Sequence, residues 1–164
     1  MAEDMKSLMV EKLNQAYTAE KQALENLPKL AQAATSPGLK QAFEAHLQET
    51  RQQVARLEQA GQQIGAPMQG APCEAMRGLA AGAERLIAQH QRGPLLDVVL
   101  VASAQAIEHH EIAAYGTMRT LARSSGMGAV ADLPERTLRE KAADEKLTTP
   151  AEVGIDPVAL QRAP

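Results

Sequence analysis

Apolar residues recur three and four positions apart along most of the chain, which is the spacing of one face of an α-helix. The first such stretch runs from about Asp4 to Leu27, and Pro28 predicts a kink or a short extension after it. Strict alternation of apolar and polar residues, which would indicate β-strands, is absent from the sequence. The pattern therefore predicts an all-α fold.

Glycines and prolines divide the remaining chain into further helical segments. Ser36 suits an N-cap and Pro37 a first helical position, so a second helix begins there. Gly93 and Pro94 mark another start, and Gly126 and Gly128 another turn. The further helices predicted are Pro37 to about Gln63, a shorter one at about Cys73 to Gln89, Pro94 to about Ser124, and about Ala129 to Leu147.

Four long helices with a long central connection predict a four-helix bundle with a crossover that contains a short extra helix. This bundle is expected to span residues 1–150. Residues 151–164 form a short tail, in which Asp156-Pro157 repeats the start signal of a helix. We expect the tail to contribute a helical turn that docks on the bundle.

Composition narrows the functional classes. The chain has 164 residues, 45% of them hydrophobic, so it can bury a sizeable core. Aromatic residues make up only 2% and the net charge is -3, which argues against nucleic-acid binding. The longest apolar run, Leu95 to Ile107, contains Asp97 and is too short to span a membrane. A single cysteine, Cys73, and an acidic N-terminus without a signal peptide predict a cytoplasmic protein.

The segment Glu108-His109-His110-Glu111 places four ionisable side chains in the most apolar helix. No Gly or Pro occurs from Leu95 to Tyr115, so one continuous helix is expected to carry them. A buried charge is costly unless it is paired or bound to a metal. Glu108 and Glu111 are three residues apart and share a helix face. They therefore indicate a metal site or a coupled pair of acids.

Every long helix supplies an acidic residue that borders its apolar face. Carboxylates from four helices that converge inside a bundle can hold one or two divalent cations, with iron or manganese expected. The expected ligands are Glu20, Glu49, Glu108 and Glu140, with Glu111, Asp144 and His46 as additional ones.

Other interpretations of these residues stay open. Glu108 and Glu111 can serve in salt bridges or at a dimer surface. Glu140 and Asp144 lie among basic residues and can form a solvated, mixed-charge face. His46 can be a surface residue or a hydrogen-bond partner of Glu49.

Six segments carry a likeness to a known family. They span nearly the whole chain, at residues 19–22, 27–31, 42–50, 73–79, 108–117 and 137–141. On these segments the chain resembles the YciE/YciF-type ferritin-like proteins. The resemblance implies a ferritin-like four-helix bundle, commonly a dimer, linked to bacterial stress responses.

The chain departs from the usual ferritin-like ligand pattern, which takes a Glu-x-x-His motif from each of two helices. Gln52 follows Glu49 by three positions and Ala143 follows Glu140 by three, so both histidines are missing. Glu108-x-x-Glu111 resembles the carboxylate-richer motif of rubrerythrin-like bundles.

The favoured interpretation is a metal-binding bundle. If it turns over, oxygen or peroxide would react at the metal, with Tyr115 or Tyr17 as a nearby hydrogen-bond donor or electron source. The alternative is a non-catalytic stress or interaction protein with a vestigial acidic core and an unknown protein partner. The start of the fourth predicted helix is apolar almost all round, so a second subunit or the connecting helix must cover it, and we expect a homodimer.

Overall fold

The structure, a computed structural model, describes residues 4–144, and for residues 129 and 142–144 it describes the backbone alone. These residues form five helices joined by turns and loops, and no strand occurs among them. The helices are α1 (Met5–Ala33), α2 (Pro37–Gln63), α3 (Glu74–Gln89), α4 (Pro94–Ser124) and α5 (Gly128–Asp144). The prediction of an all-α fold is confirmed, whereas the tail at 151–164 lies outside the described residues.

The helices begin where the sequence supplies caps. The Asp4 carboxylate accepts a hydrogen bond from the Ser7 amide at 2.7 Å, and the Ser36 hydroxyl accepts one from the Leu39 amide. Pro28 lies inside α1, so the helix continues past it, as the short-extension alternative predicted. An internal proline removes one helical hydrogen bond. Burial of Leu30 beyond Pro28 offsets that loss.

Two hairpins form the bundle. α1 packs along α2, α4 packs along α5, and α1 also contacts α4. The crossover helix α3 lies against α4 and α1 and covers part of the apolar start of α4. Leu96 and Leu100 are buried there, whereas Leu95 is 44% exposed. The connecting helix thus provides part of the cover that a second subunit was expected to provide, and the homodimer stays a prediction.

The core has two main apolar layers with a polar layer between them, and a smaller apolar cluster contains Ala19, Met76 and Ile107. The first layer contains Leu30, Phe43 and Leu100. The second contains Leu13, Leu57 and Met118. On α1, α2 and α4 the residues between these layers include buried polar side chains: Glu20, Thr50, Gln53, Glu108 and Glu111. The fold therefore brings the polar middle of each helix to one level of the bundle.

Asp97 fixes α4 against the turn between α1 and α2. Its carboxylate accepts hydrogen bonds from the Thr35 amide at 2.7 Å, the Thr35 hydroxyl at 2.6 Å and the Ser36 amide at 2.8 Å. Asp97 is buried, and these three bonds satisfy its charge. This anchor ties the first turn of α4 to the turn between α1 and α2.

Within residues 4–144, no helix combines the length and the apolar character that crossing a membrane requires.

Candidate metal centre

Three carboxylates lie at the middle level of the bundle. Glu20 comes from α1, and Glu108 and Glu111 come from adjacent turns of α4. Each of these residues is at most 2% exposed. We refer to these three residues as the carboxylate cluster. Their burial among apolar layers means that nearby protein groups, rather than water, must stabilise their charges.

The Lys141 side chain enters the carboxylate cluster from α5 and is fully buried. Its Nζ donates a hydrogen bond to Glu111 Oε2 at 2.7 Å. The same Nζ lies 3.6 Å from Glu108 Oε2 and 3.9 Å from Glu20 Oε1. One ammonium therefore contacts all three carboxylates and supplies a positive charge at their centre.

Glu140 takes a different place from the one expected. Its carboxylate pairs with the guanidinium groups of Arg56 and Arg136, and its side chain is 28% exposed. Arg56 is itself buried and also donates a hydrogen bond to the Thr137 hydroxyl at 3.1 Å. Because this buried guanidinium needs a carboxylate, Glu140 turns toward α2, and the inward position belongs to Lys141. These ion pairs correspond to the mixed-charge alternative for Glu140, and metal ligation by this residue stays a prediction.

His46 reaches the carboxylate cluster from α2. Its Nε2 lies 3.5 Å from Glu108 Oε2. One ligand atom each from His46, Glu108 and Glu111 can be chosen so that all three lie within 4.8 Å of one another. Glu49 is half-buried on the same helix with a buried Oε2. The Asp144 side chain lies outside the described part of the chain. Metal ligation by all these residues stays a prediction.

Tyr115 is the tyrosine that contacts the carboxylate cluster. Its hydroxyl donates a hydrogen bond to Glu20 Oε1 at 2.8 Å, and the ring is buried. Tyr17 instead donates to Glu58, at a solvent-exposed position. Of the two tyrosines named from the sequence, the structure brings only Tyr115 to the site.

The electrostatics of the cluster follow from burial and crowding. Burial raises the pKa of Glu20 to about 8, the Glu111 charge adds to that rise, and Lys141 opposes it. Burial lowers the pKa of Lys141, but the charges of Glu111, Glu20 and Glu108 outweigh it and raise that pKa above its ordinary value. Burial and the Glu20 charge raise the pKa of Tyr115. At neutral pH the cluster therefore holds a charged ammonium beside a Glu20 that keeps its proton.

Within the described part of the chain, the buried oxygens Glu20 Oε2 and Glu111 Oε1 find no hydrogen-bond partner. A buried acceptor without a partner is costly and often marks a place where a cation, a water or a proton belongs. The imidazole of His46 and the carboxylates of Glu108 and Glu111 form a donor set that fits a small divalent cation.

Sequence reasoning missed Lys141. The signal that could have identified it is the spacing on α5, where Pro134, Thr137 and Lys141 are all buried and lie three and four positions apart. Continuing that spacing from Thr137 reaches Lys141 before Asp144. The neighbouring charged residues Arg139 and Glu140 made it hard to tell from the sequence which side of α5 faces the core.

Comparisons with known proteins agree with the fold. A model of the family described as "Domain of unknown function (DUF892)" matches residues 4–159. "Protein YciF" of Escherichia coli (strain K12) is 38% identical over 161 residues, which is 97% of each chain. The crystal structure of the E. coli stress protein YciF has a TM-score of 0.87 with 36% identity, over 92% of this chain and 96% of that one.

A more distant neighbour extends the likeness in fold. It is described as "ferritin like, diiron-carboxylate proteins from Bacillus anthracis str. Ames". Its TM-score is 0.70 at 15% identity, over 93% of this chain and 99% of that one. At this identity the likeness concerns the fold alone, and it confirms the expected ferritin-like bundle.

Proposed function

The chain belongs to the DUF892 family, and from that premise we propose that it is a ferritin-like, stress-related protein that binds one divalent cation, iron or manganese, beside Lys141. The stress association is supported by the relative YciF, which is called a stress protein. The cation is supported by the donor set of the carboxylate cluster. A homodimer in the cytoplasm remains part of the proposal.

The observation that carries the proposal is the convergence of His46, Glu108 and Glu111. Their ligand atoms can lie within 4.8 Å of one another. Ligands bound to one ion at about 2.1 Å are separated by roughly 3 to 4 Å, so a small movement of side chains would bring these three onto a single ion. One imidazole and two carboxylates suit the borderline cations Fe(II) and Mn(II).

Charge balance favours one ion over two. A bound cation would displace the proton that Glu20 keeps in the metal-free protein, so the three buried carboxylates would then carry three negative charges beside the one positive charge of Lys141. One divalent cation makes this buried set neutral, whereas a second would leave it with a net positive charge. Uncompensated buried charge is strongly unfavourable. Lys141 therefore takes the electrostatic place of a second metal ion.

The hydrogen bonds within the carboxylate cluster also support a single bound ion. Lys141 occupies Glu111 Oε2, and Tyr115 occupies Glu20 Oε1. This leaves Glu111 Oε1 and Glu20 Oε2 as open acceptors. When bound, the cation would supply Lewis acidity and, for iron or manganese, redox chemistry. Tyr115 would hold a proton at its hydroxyl oxygen, which donates to Glu20 Oε1 at 2.8 Å.

The test is binding of Mn(II) to the metal-free protein. Because an ion that binds only the native state stabilises it by mass action, Mn(II) at one hundred times its Kd should add about 2.7 kcal/mol to the free energy of unfolding. The variant Glu108→Gln keeps the shape but removes a ligand charge, so it should lose most of that gain. Glu44→Gln, at an exposed position on α2, is the matched control and should respond as the parent does.

A parent protein that does not respond to Mn(II) or Fe(II) would contradict metal binding. The second candidate function, a non-catalytic stress or interaction protein with a vestigial acidic core, would then apply. One observation favours it: Lys141 already satisfies part of the cluster's charge from within the chain. The candidates differ in one property, which is whether adding an ion to the metal-free protein stabilises it.

A further inference from the structure

A cavity of about 240 Å³ lies between α1, α3 and α4 and reaches the carboxylate cluster from one side. We refer to it as the side cavity. Its walls include small apolar residues such as Ala16, Ala19 and Ala113. Its polar lining residues come from α1, from α4 and from the N-cap of α3, and include Glu20 and Glu111 of the cluster together with Cys73, His110 and Tyr115. The cavity is thus the place where the buried acids and the crossover helix meet.

Cys73 and His110 face each other in the side cavity. Cys73 Sγ and His110 Nε2 lie 3.6 Å apart, and both side chains are half-buried. Ligands at about 2.3 Å for sulfur and 2.0–2.1 Å for nitrogen around a tetrahedral ion are themselves roughly 3.6 Å apart. The thiol and the imidazole therefore already have the spacing of two ligands on one metal ion.

The position of this pair is fixed by the fold. Cys73 is the N-cap of α3, and its amide donates a hydrogen bond to Gln22 Oε1 on α1 at 2.9 Å. His110 is the residue before Glu111 on α4. The pair therefore lies one residue away from a member of the carboxylate cluster, on the same side as the cavity.

A second observation in the side cavity points to a cation. Glu20 Oε2 and Glu111 Oε1 are buried acceptors that find no hydrogen-bond partner among the described residues, and both residues line this cavity. Lys12 also lines it, but its ammonium is held by Glu11 at 3.3 Å and Gln15 at 3.1 Å. The cavity wall therefore carries the Cys73–His110 pair and also two carboxylate oxygens that are open to a metal ion.

We propose that the side cavity is the access route for the divalent cation, and that Cys73 and His110 form a transfer site that binds the ion before the carboxylate cluster does. This inference rests on the proposed function. Among the described residues, no third His, Cys, Asp or Glu completes a cluster around this pair, so water must fill the other positions on the ion. Two protein ligands hold an ion more weakly than the buried cluster, which favours passage inward. Binding releases the Cys73 thiol proton to solvent.

The experiment is stopped-flow loading of the metal-free protein with Co(II), whose thiolate complexes absorb in the near ultraviolet. The parent should show a thiolate-to-cobalt band that rises early and then decays as cobalt reaches the cluster. Cys73→Ser should abolish the band. Cys73→Ser and His110→Gln should each slow loading by about tenfold. This is the low end of the increase in association rate that a charged cleft gives to an incoming ion. The final stoichiometry should be unchanged.

His109→Gln is the control, because His109 is exposed and its Nδ1 contacts the Gln105 carbonyl at 2.8 Å. It should load at the parent rate. Loading of Cys73→Ser and His110→Gln at the parent rate would overturn the transfer site and leave the proposed function intact. A thiolate band that persists at equilibrium would also overturn it, because the ion would then reside at Cys73. A parent that never takes up cobalt, manganese or iron would instead refute the proposed function.

Discussion

The Lys141 ammonium donates a hydrogen bond to Glu111 Oε2 at 2.7 Å, and neither side chain is more than 2% exposed. This pair joins α5 to α4 at the polar level of the bundle. Breaking a buried ion pair by removing one partner leaves the other charge without compensation, which costs about 3–5 kcal/mol. Lys141 is therefore both a structural tie and the resident cation of the carboxylate cluster.

The first prediction concerns that tie. Lys141→Met keeps most of the side-chain volume and removes the charge, so the metal-free protein should lose about 3–5 kcal/mol of unfolding free energy in urea. Lys40→Met, at an exposed position, should change it by less than about 0.5 kcal/mol. Mn(II) should stabilise Lys141→Met by more than it stabilises the parent. Equal stability of Lys141→Met and the parent would show that the ammonium is not needed by the fold.

The second prediction concerns pH. The pKa of Glu20 is about 8 in the folded protein, above its ordinary value of 4.5, so the folded state keeps a proton that the unfolded state loses. Stability of the metal-free protein should therefore fall between pH 4.5 and pH 8, with a contribution from this group of about 1.4 kcal/mol per pH unit. Above that window the contribution is constant.

The check is a series of urea unfolding curves from pH 5 to pH 8. Glu20→Gln cannot titrate, and its stability should decline less steeply than that of the parent. Glu25→Gln, at an exposed position on the same helix, should follow the parent curve. Parallel curves for the parent and Glu20→Gln would mean that Glu20 is ionised in the folded state across this range.

The third prediction concerns the buried tyrosine. Tyr115→Phe removes the donor to Glu20 Oε1 and leaves that oxygen without it, so the unfolding free energy should fall by about 1–3 kcal/mol. Tyr17→Phe removes a bond to the exposed Glu58 and should cost less than about 0.5 kcal/mol. Thermal or urea unfolding of the two variants measures the difference. Equal losses would contradict the assignment of Tyr115 to the cluster.

The fourth prediction separates stability from metal binding. Asp97→Ala leaves the donors of Thr35 and Ser36 without their carboxylate and should cost about 1.5–3 kcal/mol. Asp132→Ala, at an exposed position, should be nearly neutral. The stabilisation that Mn(II) adds should be the same in Asp97→Ala as in the parent. A loss of that increment would mean that the height of α4 controls the metal site directly.

The helices could be predicted from the sequence because their start signals are local. Ser36 and Pro37 occupy the N-cap and first turn of α2, and Gly93 and Pro94 those of α4. Glu20 and Glu108 could be placed inside because each lies on an apolar face, among small or branched residues. A carboxylate at such a position cannot reach solvent.

The centre of the cluster could not be predicted in the same way. Glu140 and Lys141 differ by one residue, about 100° around a helix, and charged neighbours on both sides of them conceal the inward face. Arg56 and Glu140 are 84 positions apart in the sequence, so their pairing is visible only in the folded structure. That pairing determines that Lys141, and not Glu140, faces the carboxylate cluster. The approach of Cys73 to His110 likewise depends on where the crossover places α3, which no local signal specifies.

The most direct test of the central claim is an anomalous difference map, measured at the manganese edge on crystals loaded with Mn(II). One divalent ion per chain, in contact with His46, Glu108 and Glu111 and with the Lys141 ammonium still buried beside it, is the result expected. No peak at these residues, or two peaks within the carboxylate cluster, would contradict the account.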